Sequence, residues 1–208
     1  TENPADERTY HAYNARGQLT RTWGHAPYPT EQAYNSFGER TGLTTFRDPS
    51  ADFTGASWPS PAPGGDTTTW SYDAATGLLE TKTYADSTTI DYTYTADGRL
   101  KTRQWARQYN QARLTTTYSY FGEGQGEPLT GLRKQVSYSD TTPAVSYTYD
   151  RLGRPVTVVD AAGTRTFAYS DGATGTLQPL TESFLGGLFD GTVLTQIYED
   201  GTGVTVAG

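Results

Sequence analysis

A Tyr followed by Asn, Asp or Thr, with a Gly three or four residues further on, recurs along this chain and restricts its fold more than any other feature. It reads "YNARGQL" from Tyr13, "YNSFGER" from Tyr34, "YDAATGLL" from Tyr72, "YTADGRL" from Tyr94 and "YDRLGRP" from Tyr149. A further copy is "YSDGATGTL" from Tyr169, and looser ones start at Tyr120 and Tyr198. Gly17 to Gly38 and Gly77 to Gly98 are steps of 21 residues, and Gly131 to Gly153 and Gly153 to Gly175 are steps of 22. A fixed period of this size marks a repeat array in which each copy is one supersecondary unit. Three steps are longer: 39 from Gly38 to Gly77, 33 from Gly98 to Gly131 and 28 from Gly175 to Gly203.

Each copy is flanked by strand patterning. Ile90, Tyr92 and Tyr94 alternate with Thr89, Asp91 and Thr93, and Val145, Tyr147 and Tyr149 alternate with Ser146 and Thr148. A period of two is the signature of a strand with one face sheltered. A second strand follows each Gly ("RLKTRQW", "RPVTVVD"), then a second turn at residues 84–87, 139–143 or 160–163. About 21 residues therefore make strand, turn, strand, turn, with strands about six or seven residues long. One hairpin cannot bury its own apolar face, so a row of them is the folding unit. The expected fold is all-β: serial hairpins in one continuous, curved antiparallel sheet, a single array over residues 1–208. Insertions are expected near residues 49–65, rich in Pro, Gly and Ser, and near 122–131. Phe53 and Trp58 are expected to pin the first insertion to the sheet.

Composition agrees. Among 208 residues there are 37 Thr, 23 Gly and 16 Tyr, the residues of pleated surfaces and turns. A net charge of −7, with 13 Arg and three Lys that read as scattered, argues against nucleic acid as a partner. There is no Cys, which excludes disulfides, thiolate metal sites and Cys nucleophiles. No apolar run is long enough for a membrane span, and no Met opens the chain, so a processed chain or a piece of a longer one is expected.

Little in the sequence suggests catalysis. The recurring acids Asp73, Asp97, Asp150, Asp171 and Asp200 could form a row of general acids or metal ligands, but Asn14 and Asn35 fill the same slot. An amide keeps the turn-stabilising role and loses the acid, so turn chemistry is the expectation. His11 and His25 have no third metal ligand at a zinc spacing and no nucleophile to activate. "GEGQG" at 122–126 lacks the Lys and Ser/Thr of a phosphate loop, and "DGTG" at 200–203 lacks the alternating oxygens of a calcium loop. No catalytic, cofactor or metal site is expected, and the chain is read as not an enzyme. Tyr13, Gly17, Tyr34, Gly38, Tyr72, Asp73, Gly77, Tyr94, Gly98, Tyr149, Asp150, Gly153, Tyr169 and Gly175 are read as structural. Trp58, Trp70 and Trp105 stand outside the period and are the candidates for ligand contact.

"YNARGQL", "YDAATGLL", "YTADGRL" and "YDRLGRP" resemble the YD repeat of the rearrangement-hotspot (Rhs) family, and the resemblance covers nearly the whole chain. It implies a sheet that spirals into a hollow shell. Bacterial members enclose a toxic domain in secreted polymorphic toxins and insecticidal toxin complexes, and animal teneurins carry a similar shell. The "DPxG"-type segment with which bacterial shells close is not matched, since "RDPSAD" from Arg47 has neither its Gly nor its tyrosine-rich lead-in.

The expectation is a non-catalytic stretch of shell wall in a secreted or cell-surface bacterial protein, without the plug or the cargo. Its partners would be proteins: the rest of the shell, an enclosed cargo such as a toxin domain, or another copy through a sheet edge. The alternative is an extracellular carbohydrate-binding or adhesive module that uses exposed aromatics.

Overall fold

The period-two segments and glycine turns form sixteen antiparallel strands among the described residues of a computed structural model. The structure describes residues 7–25, 28–47, 52–60, 64–124, 126, 130–168, 180–185, 193–196 and 204–207. The chain divides into two units, residues 1–93 and 94–208. The first holds β1 (Thr9–Tyr13), β2 (Leu19–Gly24), β3 (Thr30–Tyr34), β4 (Arg40–Thr45), β5 (Asp66–Tyr72), β6 (Leu79–Thr83) and most of β7 (Thr89–Tyr94). The second holds β8 (Leu100–Tyr109), β9 (Ala112–Tyr120), β10 (Arg133–Tyr138), β11 (Val145–Tyr149), β12 (Pro155–Asp160) and β13 (Gly163–Ala168). It continues with β14 (Leu180–Leu185), β15 (Val193–Gln196) and β16 (Val204–Ala207). Within each unit every strand pairs with the next in sequence, so all contacts between strands are local in topology.

Register gives each unit two unlike faces. In the first unit Tyr34 lies opposite Arg40, Trp70 opposite Lys82 and Lys82 opposite Ile90, making an aromatic face. The other face carries rows of hydroxyls: Gly42–Thr69–Thr83–Thr89 across four strands, and Thr44 against Thr67 with their Oγ1 atoms 2.9 Å apart. The second unit repeats this, with Tyr118–Val136–Val145 and Tyr147–Val158–Arg165 on one face and Thr148–Thr157–Thr166 on the other.

Few side chains are deeply buried. The described residues with the lowest exposure are Ile90 at 2% and Phe46 and Thr116 at 4%, as expected where a sheet is covered on only part of its surface. Among the described residues of the first unit, a dense aromatic cluster is built by the insertion. Phe53 packs on Phe46 with centroids 5.4 Å apart, Trp58 meets Trp23 edge-on at 5.6 Å, and Trp23 Nε1 donates to the Gly55 carbonyl at 3.1 Å. The expected pinning of the insertion by Phe53 and Trp58 is thus seen, with one addition. Tyr10, Trp23 and Phe46 belong to the hydroxyl side of the sheet, so the insertion covers the face opposite the repeat tyrosines.

Loss of a buried phenyl removes its transfer free energy and leaves a cavity. Phe53→Ala is therefore expected to destabilise the first unit by about 3 kcal/mol in urea unfolding followed by Trp fluorescence. Substitution of the exposed Phe37, 81% accessible, is expected to change it by less than about 0.5 kcal/mol.

Candidate functional site

The repeat residues converge on one edge of each unit, where they form a joint between successive hairpins. Asn14 N–H donates to the Gln18 carbonyl and Gly17 N–H to the Asn14 carbonyl, both at 3.0 Å. Gly17 has φ 78°, in the left-handed region. This is the three-residue hairpin loop in which a type I turn ends in a left-handed residue, the place where Gly has no Cβ to clash. Asn35–Glu39, Thr95–Arg99 and Asp150–Arg154 close in the same way, with Gly38, Gly98 and Gly153 at φ 91°, 81° and 79°. Asp73 spans one residue more, its N–H donating to Leu78 O at 2.8 Å, and Gly77 again takes a positive φ. Opposite Tyr13, Tyr34, Tyr72 and Tyr149 the partner strand skips one residue (Thr20, Thr41, Glu80, Val156), a bulge that raises local twist.

The residue in the Asn/Asp slot ties the loop with its side chain. Asn14 Oδ1 accepts from the N–H groups of Arg16 and Gln18 at 3.0 Å. Asp150 Oδ1 accepts from Leu152 and Arg154, and Asp73 Oδ1 from Ala75 and Thr76. In the fourth copy the slot is Thr95, whose Oγ1 accepts from Arg99 N–H at 3.0 Å. Asp97, one of the recurring acids of the sequence, lies two residues further on and pairs with Arg99 at 2.7 Å.

One determinant has no place in the sequence reading: the residue after the Gly. Asn14 Nδ2 donates to Gln18 Oε1 at 2.9 Å and Asn35 Nδ2 to Glu39 Oε2 at 2.6 Å, whereas Asp150 Oδ2 accepts from Arg154 Nε at 2.7 Å. An amide cap can donate and meets an acceptor; a carboxylate only accepts and meets a guanidinium. The complementarity is readable in "NARGQ", "NSFGE" and "DRLGR" once the turn geometry is known.

Two kinds of contact then bind successive hairpins. The Tyr34 hydroxyl donates to Leu19 O at 3.0 Å, Tyr72 to Arg40 O at 2.9 Å and Tyr120 to Leu100 O at 2.8 Å. Each acceptor stands two residues past the Gly of an earlier turn. Gln18 Nε2 also donates to Gly38 O and Arg99 Nη1 to Gly131 O, both at 2.8 Å. A Cβ on Gly38 would stand 3.3 Å from Gln18 Nε2, so this Gly serves both φ and the close approach. Burial pushes the Tyr72 and Tyr149 phenols up, which keeps them protonated. Tyr149 meets Phe121 edge-on at 6.2 Å. Tyr13, on the first described strand, is 61% exposed. Tyr169 and Gly175 lie outside the described residues.

Trp58 and Trp70 lie on opposite faces of the first unit, and Trp105 belongs to the second. Each has a guanidinium over its ring: Arg21 at 4.9 Å from the Trp58 centroid, Arg40 at 4.4 Å from Trp70 and Arg103 at 3.6 Å from Trp105. Trp105 Nε1 also donates to Thr116 Oγ1 at 2.9 Å. Trp70 borders an open hollow of about 600 Å³ between the turns at 35–38 and 73–77, with Phe37, Glu39 and Asp73 on its rim. No group of three metal-ligating side chains occurs among the described residues, and no described helix is long and apolar enough to cross a membrane.

No protein-family model matches the chain, and no curated protein matches it. Solved structures do. A chain of the Photorhabdus luminescens Tc holotoxin pore, carrying a mutant TccC3, superposes with a TM-score of 0.63 at 15% identity over 90% of this chain and 9% of that one. A chain of a TcdB2-TccC3-Cdc42 crystal structure matches at 20% identity and a TM-score of 0.42, over 84% of this chain and 10% of that one. The chain thus spans about a tenth of the length of the proteins it resembles. At 15% identity the likeness to the holotoxin chain shows the fold, an all-β sheet of serial antiparallel strands.

Two measurements check the joint. Asp150→Asn sets two donors face to face and Arg154→Glu two carboxylates, while together they recreate the Asn–Glu pair of the second turn. Each single change is expected to lower the urea midpoint of unfolding, with the double variant recovering at least half of the loss in a double-mutant cycle.

The carboxyls of Asp73, Asp86 and Asp140 are held below the usual carboxylate range, first by the hydroxyls of Thr76, Thr88 and Thr142 and then by the same residues' N–H groups. A lowered folded pKa gives stability that is present above the unfolded value and lost as pH falls through the folded one. The melting temperature is therefore expected to drop below about pH 4, and Asp73→Asn with Asp86→Asn to flatten that drop.

Proposed function

We propose that this chain is a non-catalytic scaffold, a stretch of hairpin wall that holds or displays a protein partner such as a toxin domain, in a secreted or cell-surface bacterial protein. The repeated phenol-to-carbonyl contact carries the reading. Tyr34, Tyr72 and Tyr120 spend their polar atoms on joining one hairpin to the next. The cap carboxylates are likewise spent on backbone N–H groups, and Asn stands in two of the same slots. The matching fold in a Tc holotoxin pore supports a protein-complex setting.

The test is protease protection in the full-length product of the gene. Under the scaffold reading, a non-repeat segment of that product resists protease until the wall is opened by Tyr72→Phe with Tyr120→Phe, each costing about 1 kcal/mol. Equal cleavage of that segment in the parent and the variant would overturn enclosure. A second reading, carbohydrate binding, draws on the hollow beside Trp70 and the exposed Phe37. It requires glycan-array signals that disappear in Phe37→Ala.

A further inference from the structure

The arginines that read as scattered along the sequence are gathered by hairpin pairing. Residues 99–134 hold seven of the 16 Lys and Arg but two of the 23 Asp and Glu, a local charge of +5 in a chain of −7. Strands β8 to β10 place five of these arginines around the aromatic face of the second unit. Arg103 lies 3.6 Å from the Trp105 centroid and Arg107 lies 5.9 Å from the same ring. Arg99 stands 4.3 Å over Tyr120 and Arg133 stands 5.3 Å over Tyr118. Arg113 props the group from behind, donating to the carbonyls of Trp105 at 3.0 Å and Gln104 at 3.2 Å and to Gln104 Oε1 at 3.0 Å. Among the described residues three acids face the cluster: Asp97 pairs with Arg99, Asp140 lies toward Arg107, and Glu123 accepts from Tyr120 N–H at 3.2 Å.

We propose that this arginine–aromatic face of β8–β10 is a docking surface for an acidic, extended polypeptide segment. Arg99 spends its donors on Asp97 and the Gly131 carbonyl, whereas the exposed Arg107 and Arg133 lie by their rings with in-plane N–H groups suited to a carboxylate fork. Stacking also fixes the arginine in advance, which lowers the entropy lost on binding. With Arg103 over Trp105 and Arg99 over Tyr120, those ring faces are covered against a nucleobase or a sugar. The occupant is thus recognised by charge and hydrogen bonds rather than by stacking. Arg107 and Arg133 are exposed and would make the outer contacts. The choice of a polypeptide rests on the scaffold reading; the anion chemistry does not.

The experiment titrates the protein into a fluorescein-labelled glutamate 20-mer and reads anisotropy at 20 mM and 300 mM NaCl. Binding is expected at low salt, weakening at least tenfold at high salt, because screening shortens the reach of exposed charges. Arg107→Glu with Arg133→Glu is expected to weaken it at least tenfold, and Arg47→Glu with Arg151→Glu, exposed elsewhere, to leave it within twofold. Arg107→Lys with Arg133→Lys keeps the charge and the fold, and is expected to lose severalfold through the missing fork. Absence of binding at low salt, equal loss in the control pair, or failure of the glutamate peptide to compete with a bound oligodeoxynucleotide or heparin would overturn the proposal. No peptide binding alongside intact protease protection would remove this surface and leave the scaffold standing. Peptide binding without protection would do the reverse.

Discussion

A tyrosine hydroxyl resting on a backbone carbonyl two residues beyond an earlier turn's glycine is the contact on which the array depends. A hairpin alone is marginal, because its apolar face stays wet and its edges stay open. Ladder hydrogen bonds join neighbouring strands anywhere along their length and carry little information about register. The phenol contact carries a great deal. It is possible only when the turn of one hairpin stands beside the turn of the next, with the bulge opposite the Tyr in place. Slipping a strand by one residue would turn every Tyr to the wrong face.

Around that contact the energetics are distributed rather than concentrated. The sheet has aromatic and hydroxyl faces, and few side chains are fully withdrawn from water. Where a large aromatic lies half-exposed on a strand, a long cation usually covers it, as Arg40 does for Trp70 and Arg99 for Tyr120. The arginine stem supplies apolar cover while the guanidinium stays solvated. The insertion does the same job by another route, folding Phe53 and Trp58 over Trp23 and Phe46. Both devices suit a chain whose period leaves no room for a second layer of its own.

Much of the joint was legible in the sequence. The Tyr-x-x-x-Gly spacing located the turns, and the exchange of Asn, Asp and Thr in one slot identified that residue as a cap rather than a catalyst. The residue after the Gly was not legible, since its role depends on which atoms of the cap face it. Asp97 was the misleading member of the row of acids, since the loop "YTADG" is capped by Thr95 two residues earlier. The arginine cluster was hidden for a different reason. Arg103, Arg107 and Arg133 are up to 30 residues apart, and only the pairing of β8, β9 and β10 makes them neighbours.

The sequence by itself determined the element type, the period and the turn chemistry, because these rest on short-range rules: alternation of two, positive φ at Gly, and side-chain capping within four residues. Tertiary structure alone decided which face the insertion covers, which carbonyl each Tyr reaches and which charges share a surface. Those are relations between segments 15 to 40 residues apart, set by strand register and bulges that no local pattern encodes.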